Sequence, residues 1–304
     1  MLSVLIPIYN YNAVQLVENL HQQAVDAKIE FEILLLDDLS ENTECRWNNL
    51  ELRTLKHVTL FELPTKAGRA VARNFLAGQA KYDYLLFLDC DSQVVDNQFI
   101  NRYLECCKGQ NVIVCGGTAY KSQKPERDSY LRWKYGIRVE EKSAAVRNKN
   151  PNARFSTFNF LISKDLFRSI LFNEMLKNYG HEDTVFGLEL KERGYKVTYI
   201  DNPLYHTGID KNEIYLKKTR EGVENLKILL SQFPQKEILT KEIRLLRYYQ
   251  ILKKTHTVYL FYKLYSLFKV LMLRNFNSEH PNLFLFNLYK LGYLCSLYCQ
   301  KEIL

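Results

Sequence analysis

The sequence predicts an α/β fold: a Rossmann-like, mostly parallel central sheet flanked by helices, followed by a helical C-terminal extension. Three observations predict it. Apolar runs of strand length recur at 2–8, 31–36, 58–63 and 84–88, each bounded by polar residues. Runs apolar on both faces belong to sheets covered on both sides. Stretches with apolar residues at helical spacing lie between them, which makes βαβ units with right-handed crossovers. Beyond residue 210 this pattern gives way to long aromatic-rich stretches with interspersed Lys and Arg.

Residues 2–8 form the first strand, with Pro7 near its end, where a missing ladder donor matters least. Asn10 and Asn12 suit a turn, and Asn12 is placed to cap a helix in which Val14, Val17, Leu20 and Ala24 share a face. Residues 31–36 form a second strand that runs into Asp37-Asp38-Leu39-Ser40. A third strand at 58–63 leads through Thr65-Lys66-Ala67-Gly68-Arg69-Ala70 to a helix over 70–80. Gly68 permits close backbone approach at a helix start, which favours anions. Arg69 and Arg73 lie one turn apart and are expected on the same side.

The fourth strand, 84–88, runs straight into Asp89-Cys90-Asp91. Residues 112–119 read as a further strand carrying Gly116-Gly117. Residues 120–155 read as a long charged loop holding Trp133 and Tyr135, of the length that is usually functional or mobile. Residues 155–162 alternate polar and apolar, and Ser163 is placed to cap a short helix. Asn178-Tyr179-Gly180-His181-Glu182-Asp183 leads into a helix over 184–193, closed by Gly194. A strand at 195–200 runs on to Tyr205-His206-Thr207-Gly208.

The chemistry gathers at strand ends, where open α/β sheets place ligands. Asp89 and Asp91 repel each other unless a cation joins them, and Mg²⁺ or Mn²⁺ bridging to a diphosphate answers that. Tyr9 is suited to stack on a base, and Asp38 to accept from a pyrimidine N–H or a ribose hydroxyl. Glu182 and Asp183 at a helix N-terminus have the dipole on their side, which favours the ionised form that a general base requires. Each signal has a plainer reading when taken alone. Asp-x-Asp also describes a solvated strand end, Asp37-Asp38 a turn, and Arg69 with Arg73 a solvated helix face. Glu182-Asp183 also describes an acidic cap, and His206 a structural histidine.

In this order the pieces resemble family 2 glycosyltransferases of the GT-A fold. The likeness rests on residues 3–10, 36–40, 68–74, 86–91, 180–183 and 205–206, and covers roughly 1–208. It implies that Pro7, Tyr9 and Asp38 lie around the base, usually uracil, and that Asp89 approaches the ribose or the metal's waters. It implies that Asp91 ligates Mn²⁺ or Mg²⁺ between the donor's phosphates, with His206 as a further ligand. Asp183 would be the catalytic base and Glu182 would help orient the acceptor; Gly68, Arg69 and Arg73 would serve the donor. The implied reaction is inverting transfer from a nucleotide sugar to a hydroxyl. The family's common Gly after the Asp pair is Leu39 here, and Ala67 stands beside its Gly-rich turn.

Seven scattered Cys without a CxxC pair fit a reducing, cytoplasmic compartment, and the N-terminus offers no signal peptide. The net charge of +8 is uneven. Residues 211–304 hold 16 Lys and Arg against 7 Asp and Glu, and residues 1–210 hold 26 against 27. Two parts follow: a transferase domain at 1–210 and a basic helical tail at 211–304. In the tail, 213–231 reads as an amphipathic helix, with a break at Pro234. Residues 257–273 approach spanning length but contain Lys263 and Lys269, and 283–299 contain Lys290 and Gly292. Such segments suit the surface of an anionic membrane at its cytoplasmic face, or else a packed or oligomeric bundle. The expected acceptor is a glycan or lipid-linked cell-envelope molecule. A nucleotidyltransferase of similar sheet architecture and a degenerate sugar-nucleotide-binding subunit are the competing readings. A nucleic-acid partner is disfavoured by the neutral crevice domain and the lack of a recognition motif.

Overall fold

The apolar runs form the centre of a seven-stranded sheet. Its strands in chain order are β1 (Leu2–Ile8), β2 (Phe31–Asp37), β3 (Val58–Glu62) and β4 (Tyr84–Leu88); a short β5 (Ser92–Val94) belongs to a second sheet. There follow β6 (Ile113–Cys115), β7 (Thr118–Ala119), β8 (Asn159–Ser163), β9 (Thr198–Tyr199) and β10 (Leu204–His206). The large sheet runs β3-β2-β1-β4-β8-β6-β9, and the small one β5-β10-β7. Every neighbouring pair of the large sheet is parallel except those made by β8, which runs against β4 and β6. This computed structural model describes residues 1–152, 155–175, 180–232 and 236–299.

The described residues divide into two units. The first holds 1–121, 139–152, 155–175 and 182–208, and the second 122–138, 180–181, 209–232 and 236–299. The expected break at Pro234, and Asn178 with Tyr179, lie outside the described residues.

In the first unit the strands alternate between two cores. Val4, Ile6, Ile33, Leu35, Leu86 and Leu88 pack on one side of the sheet, with Leu16, Val17 and Leu20 of the helix Val14–Asp26. Leu5, Leu34, Leu36, Leu85 and Phe87 pack on the other, with Ala72 and Leu76 of the helix Arg69–Gln79 and Phe186 and Leu190 of the helix Glu182–Glu192. Phe87, Phe160, Phe167, Phe172 and Phe186 form an aromatic stack there. A sheet buried on both faces exposes only its strand ends.

Several expectations need correction. The strand read at 112–119 is two strands in different sheets. Gly116 passes so close to Asn202 that an added Cβ would lie 2.3 Å from its carbonyl oxygen, and Gly117 has φ +100°. The loop read at 120–155 contains helices at Tyr130–Tyr135 and Ala144–Arg147. The strand read at 195–200 keeps only Thr198–Tyr199 in the sheet. Ser163 precedes the helix Lys164–Ile170 but makes no side-chain cap bond. Gly194 does close its helix, with φ +78°. Gly194 N–H reaches Lys191 O and Tyr195 N–H reaches Leu190 O, the two bonds of a Schellman cap.

The second unit is helical: Tyr130–Tyr135, Asn212–Gln232, Lys236–Glu242, Arg244–Lys254, Val258–Phe276 and Leu283–Cys299. Its core joins Leu131, Tyr215, Leu216, Tyr265, Phe276, Phe286 and Tyr289. Gly292 lets Tyr265 pack against the last helix, since an added Cβ would sit 2.3 Å from the ring. Lys290 lies between the rings of Tyr135 and Phe286, and burial lowers its pKa to about 8. Among the described residues no helix is long and apolar enough to cross a membrane.

Candidate active site

The C-terminal ends of β1, β2 and β4 point to one rim of the parallel sheet, and short loops fix what they carry. After β2, Asp37 accepts from Ser40 N–H at 2.6 Å, and Ser40 Oγ accepts from Asn10 N–H at 2.8 Å. Asn10 Oδ1 in turn accepts from the N–H groups of Glu41 and Asn42 at 2.7 and 2.9 Å. The loops after β1 and β2 are thereby locked together. Leu39 sits in this lock at φ +60°. The departure from glycine noted in the sequence therefore falls where glycine would be easiest.

Asp38 is buried and grips the next loop. Its Oδ1 accepts from Ala67 N–H at 2.6 Å and its Oδ2 from Gly68 N–H at 2.9 Å. Each oxygen keeps a lone pair for a further donor. Gly68, at φ +87°, opens the helix Arg69–Gln79. Tyr9 stands 36% exposed, with Lys66 Nζ over its ring at 3.5 Å. One ring face is thus occupied by an ammonium, where the sequence suggested room for a base. Pro7 pairs with Leu36 in the sheet register.

The two arginines part company. Arg69 is exposed, whereas Arg73 is 1% exposed. Arg73 Nη2 donates to Asp89 Oδ1 at 2.7 Å, and its Nη1 lies 3.6 Å from Glu182 Oε1. Nε and Nη1 have no hydrogen-bond partner. Arg73 therefore ties the end of β4 to the start of the helix Glu182–Glu192, a join of two distant segments that helical spacing did not announce.

Asp183 follows Glu182 at that helix start and accepts from Thr184 N–H at 2.6 Å. Its pKa is raised to about 7, first by burial and then by the neighbouring Glu182 charge, with Arg73 pulling the other way. Its side chain keeps some contact with solvent, yet protein surrounds it densely enough for desolvation to dominate. The helix dipole alone suggested easy ionisation, and here burial outweighs it.

Asp91 faces His206 of β10, Oδ2 to Nε2 at 3.5 Å. Thr207 donates to Asp91 O through N–H at 2.9 Å and through Oγ1 at 2.8 Å. Tyr11 OH lies 2.8 Å from Thr207 Oγ1. His206 is held flat by Tyr120 and Phe158, with ring centroids at 5.6 and 5.3 Å. Gly208 gives the carboxylate its room: a Cβ there would lie 2.5 Å from Asp91 Oδ2. A carboxylate and an imidazole held this way suit Mn²⁺ or Mg²⁺. Among the described residues no group of three or more such ligands forms, so a cation here needs further donors from substrate and water. Tyr11, Thr207 and Gly208 carried no sequence signal, because their roles depend on β10 lying beside β5.

These contacts form one continuous chain. It runs from Asp38 through Gly68 and the helix it opens to Arg73, on to Asp89 and Glu182, and from Asp89 along the backbone to Asp91 and His206.

Comparison with known proteins bears on the family and the fold. A curated relative from Haemophilus influenzae (strain ATCC 51907 / DSM 11121 / KW20 / Rd), described as an uncharacterized glycosyltransferase, is 23% identical over 224 residues, covering 73% of this chain and 85% of its own. S. aureus TarS residues 1–349 superpose with TM-score 0.51 at 18% identity, over 79% of this chain and 68% of that one. The Pyrobaculum calidifontis mannosyltransferase PcManGT, solved with GDP-Man and Mn²⁺, superposes with TM-score 0.54 at 14% identity, over 76% and 64%. These likenesses support the GT-A fold with its helical extension. Residues 3–171, more than half the chain, match Glycosyl transferase family 2, and the protein belongs to that family of glycosyltransferases.

Proposed function

We propose that the protein transfers a sugar from a nucleotide-sugar donor, with uridine as the favoured base, to a hydroxyl of a glycan or lipid-linked envelope acceptor, with inversion. The observation that carries this reading is the Asp91–His206 pair, 3.5 Å apart and drawn from strand ends 115 residues distant. TarS has been solved with UDP-GlcNAc and with UDP, which favours a uridine donor here. Asp38 would accept from the base or ribose, beside the ring of Tyr9 and the end of β1 at Pro7.

Asp91 and His206 would hold Mn²⁺ or Mg²⁺, which when bound neutralises the departing diphosphate. Asp89 would face the ribose or the metal's waters. Arg69, at the helix start opened by Gly68, would face the phosphates from the other side. Arg73 acts one step back: it fixes Asp89 and Glu182, and its unpartnered donors add positive potential to the rim. Asp183 would take the proton from the acceptor hydroxyl, and Glu182 would orient that acceptor. A base poised near pH 7 is matched to such a transfer. One displacement suffices, so no protein nucleophile is required. The tail is read as the contact with an anionic membrane surface at the cytoplasmic face.

The test is a panel of nucleotide sugars with Mn²⁺, followed by release of nucleoside diphosphate against pyrophosphate. Diphosphate release that depends on acceptor supports the reading. Pyrophosphate release would make the protein a nucleotidyltransferase instead.

A further inference from the structure

The second unit carries a concave site that the transfer reaction does not use. It is a cavity of about 1220 Å³ between the helices Lys236–Glu242, Arg244–Lys254 and the start of Val258–Phe276. Lys236, Lys241, Arg247, Lys253 and Lys254 line it, with Glu237 as the one acidic side chain among the described residues. None of those five bases makes an ion pair among the described residues. The floor is aromatic, with Tyr249 and Tyr298 stacked at 4.9 Å. Five exposed bases around one concave opening give it a positive potential that an anion would neutralise.

The helix that leaves this cavity is apolar on its open side. Leu260, Leu264, Leu267 and Leu271 recur at helical spacing and are 59, 46, 71 and 55% exposed. Lys263 and Arg274 flank that stripe, and the helix contains no Asp or Glu. A water-soluble anion would satisfy the cavity and leave the stripe wet. A second copy of the chain would set Lys263 and Arg274 against their own kind. An anionic lipid satisfies both features, with its phosphate in the cavity and its acyl region along the stripe.

We propose that this cavity and the adjoining face of Val258–Phe276 form a binding site for the phosphate-bearing head of an anionic lipid. The proposal deepens the reading of a membrane-facing transferase and gives its membrane contact a defined place. It requires neither donor nor metal, so it stands or falls separately from the transfer chemistry.

The test is flotation of the full-length protein with vesicles of phosphatidylglycerol in phosphatidylcholine, against vesicles of phosphatidylcholine alone. Binding is expected only with the anionic vesicles. Each basic group near such a surface contributes about fivefold in affinity. Lys241→Ala, Arg247→Ala and Lys253→Ala combined should therefore weaken binding about a hundredfold. Leu264→Ser with Leu267→Ser should weaken it with the cavity charges intact. The control replaces the exposed Lys28, Lys56 and Lys108 of the first unit by Ala, an equal loss of charge elsewhere. Equal loss in the control would overturn the site in favour of diffuse attraction. A micromolar affinity for inorganic phosphate with no preference for anionic vesicles would overturn the lipid as its ligand. Donor turnover, measured in parallel in detergent-free solution, reports on the transfer site alone.

Discussion

Arg73→Met is the perturbation that most exposes how the site is built. The guanidinium is 1% exposed, and it serves Asp89, 22% exposed, and Glu182, 10% exposed. Removing one partner of a buried ion pair costs about 3–5 kcal/mol, because the other charge stays behind without water. The partial exposure of Asp89 and the 3.6 Å gap to Glu182 argue for the lower end, about 3 kcal/mol. At about 2–4 °C per kcal/mol for a unit of this size, Tm should fall by about 6–12 °C. Activity should change as well. Arg73 is among the groups that lower the Asp183 pKa, so its loss should move the acid limb of kcat/KM to higher pH. Arg73→Lys should recover only part of either effect, since one ammonium does not span two carboxylates as a guanidinium does. The assays are a thermal melt and a pH–rate profile on the same preparations. A variant that melts within about a degree of the wild type, with an unmoved acid limb, would refute the proposed tie between β4 and the base.

Further outcomes are expected at Asp183, Gly208 and Leu39. Asp183→Asn should lower turnover by about 10²–10⁴-fold with donor affinity nearly unchanged, by titration of donor against both proteins. The wild-type rate should climb as pH rises through about 7, where Asp183 loses its proton. The same shift means that the folded chain holds this proton more tightly than the unfolded one, so stability should decline as pH rises from the ordinary carboxylate range toward 7. Asp183→Asn should flatten that decline in a melt series. Gly208→Ala would push a Cβ against Asp91 Oδ2, and the Mn²⁺ concentration for half-activation should rise roughly tenfold or more. Leu39→Gly relieves a left-handed leucine that costs about 1 kcal/mol; offset by glycine's greater freedom when unfolded, it should raise Tm by about 1–2 °C.

The parallel half of the fold was legible because its strands are apolar on both faces, a pattern that only a covered sheet tolerates. The edges were not. β7 and β9, two residues each, fall inside the runs read at 112–119 and 195–200 but were not told apart from them, and β5 and β10, three residues each, are too short for periodicity to mark. The direction of β8 was invisible, since alternation is the same read either way. The helix Thr43–Leu50 escaped because Cys45, Asn48 and Asn49 give it little apolar spacing, though its Asn42 cap is sound. At the site, the acidic residues were visible as strand-end motifs. Which of them share a partner was not, because Arg73 joins Asp89 and Glu182, 93 positions apart. The altered ionisation of Asp183 was likewise hidden, since burial is its largest cause and the adjacent Glu182 only adds to it.

Asp91 and His206 are expected to receive a divalent ion together with a nucleoside diphosphate. Electron paramagnetic resonance of Mn²⁺ titrated with protein, with and without UDP, measures this directly. A protein-bound signal that tightens sharply when UDP is added, and that both Asp91→Asn and His206→Ala abolish, is the expected result. A bound signal that survives both substitutions would contradict it.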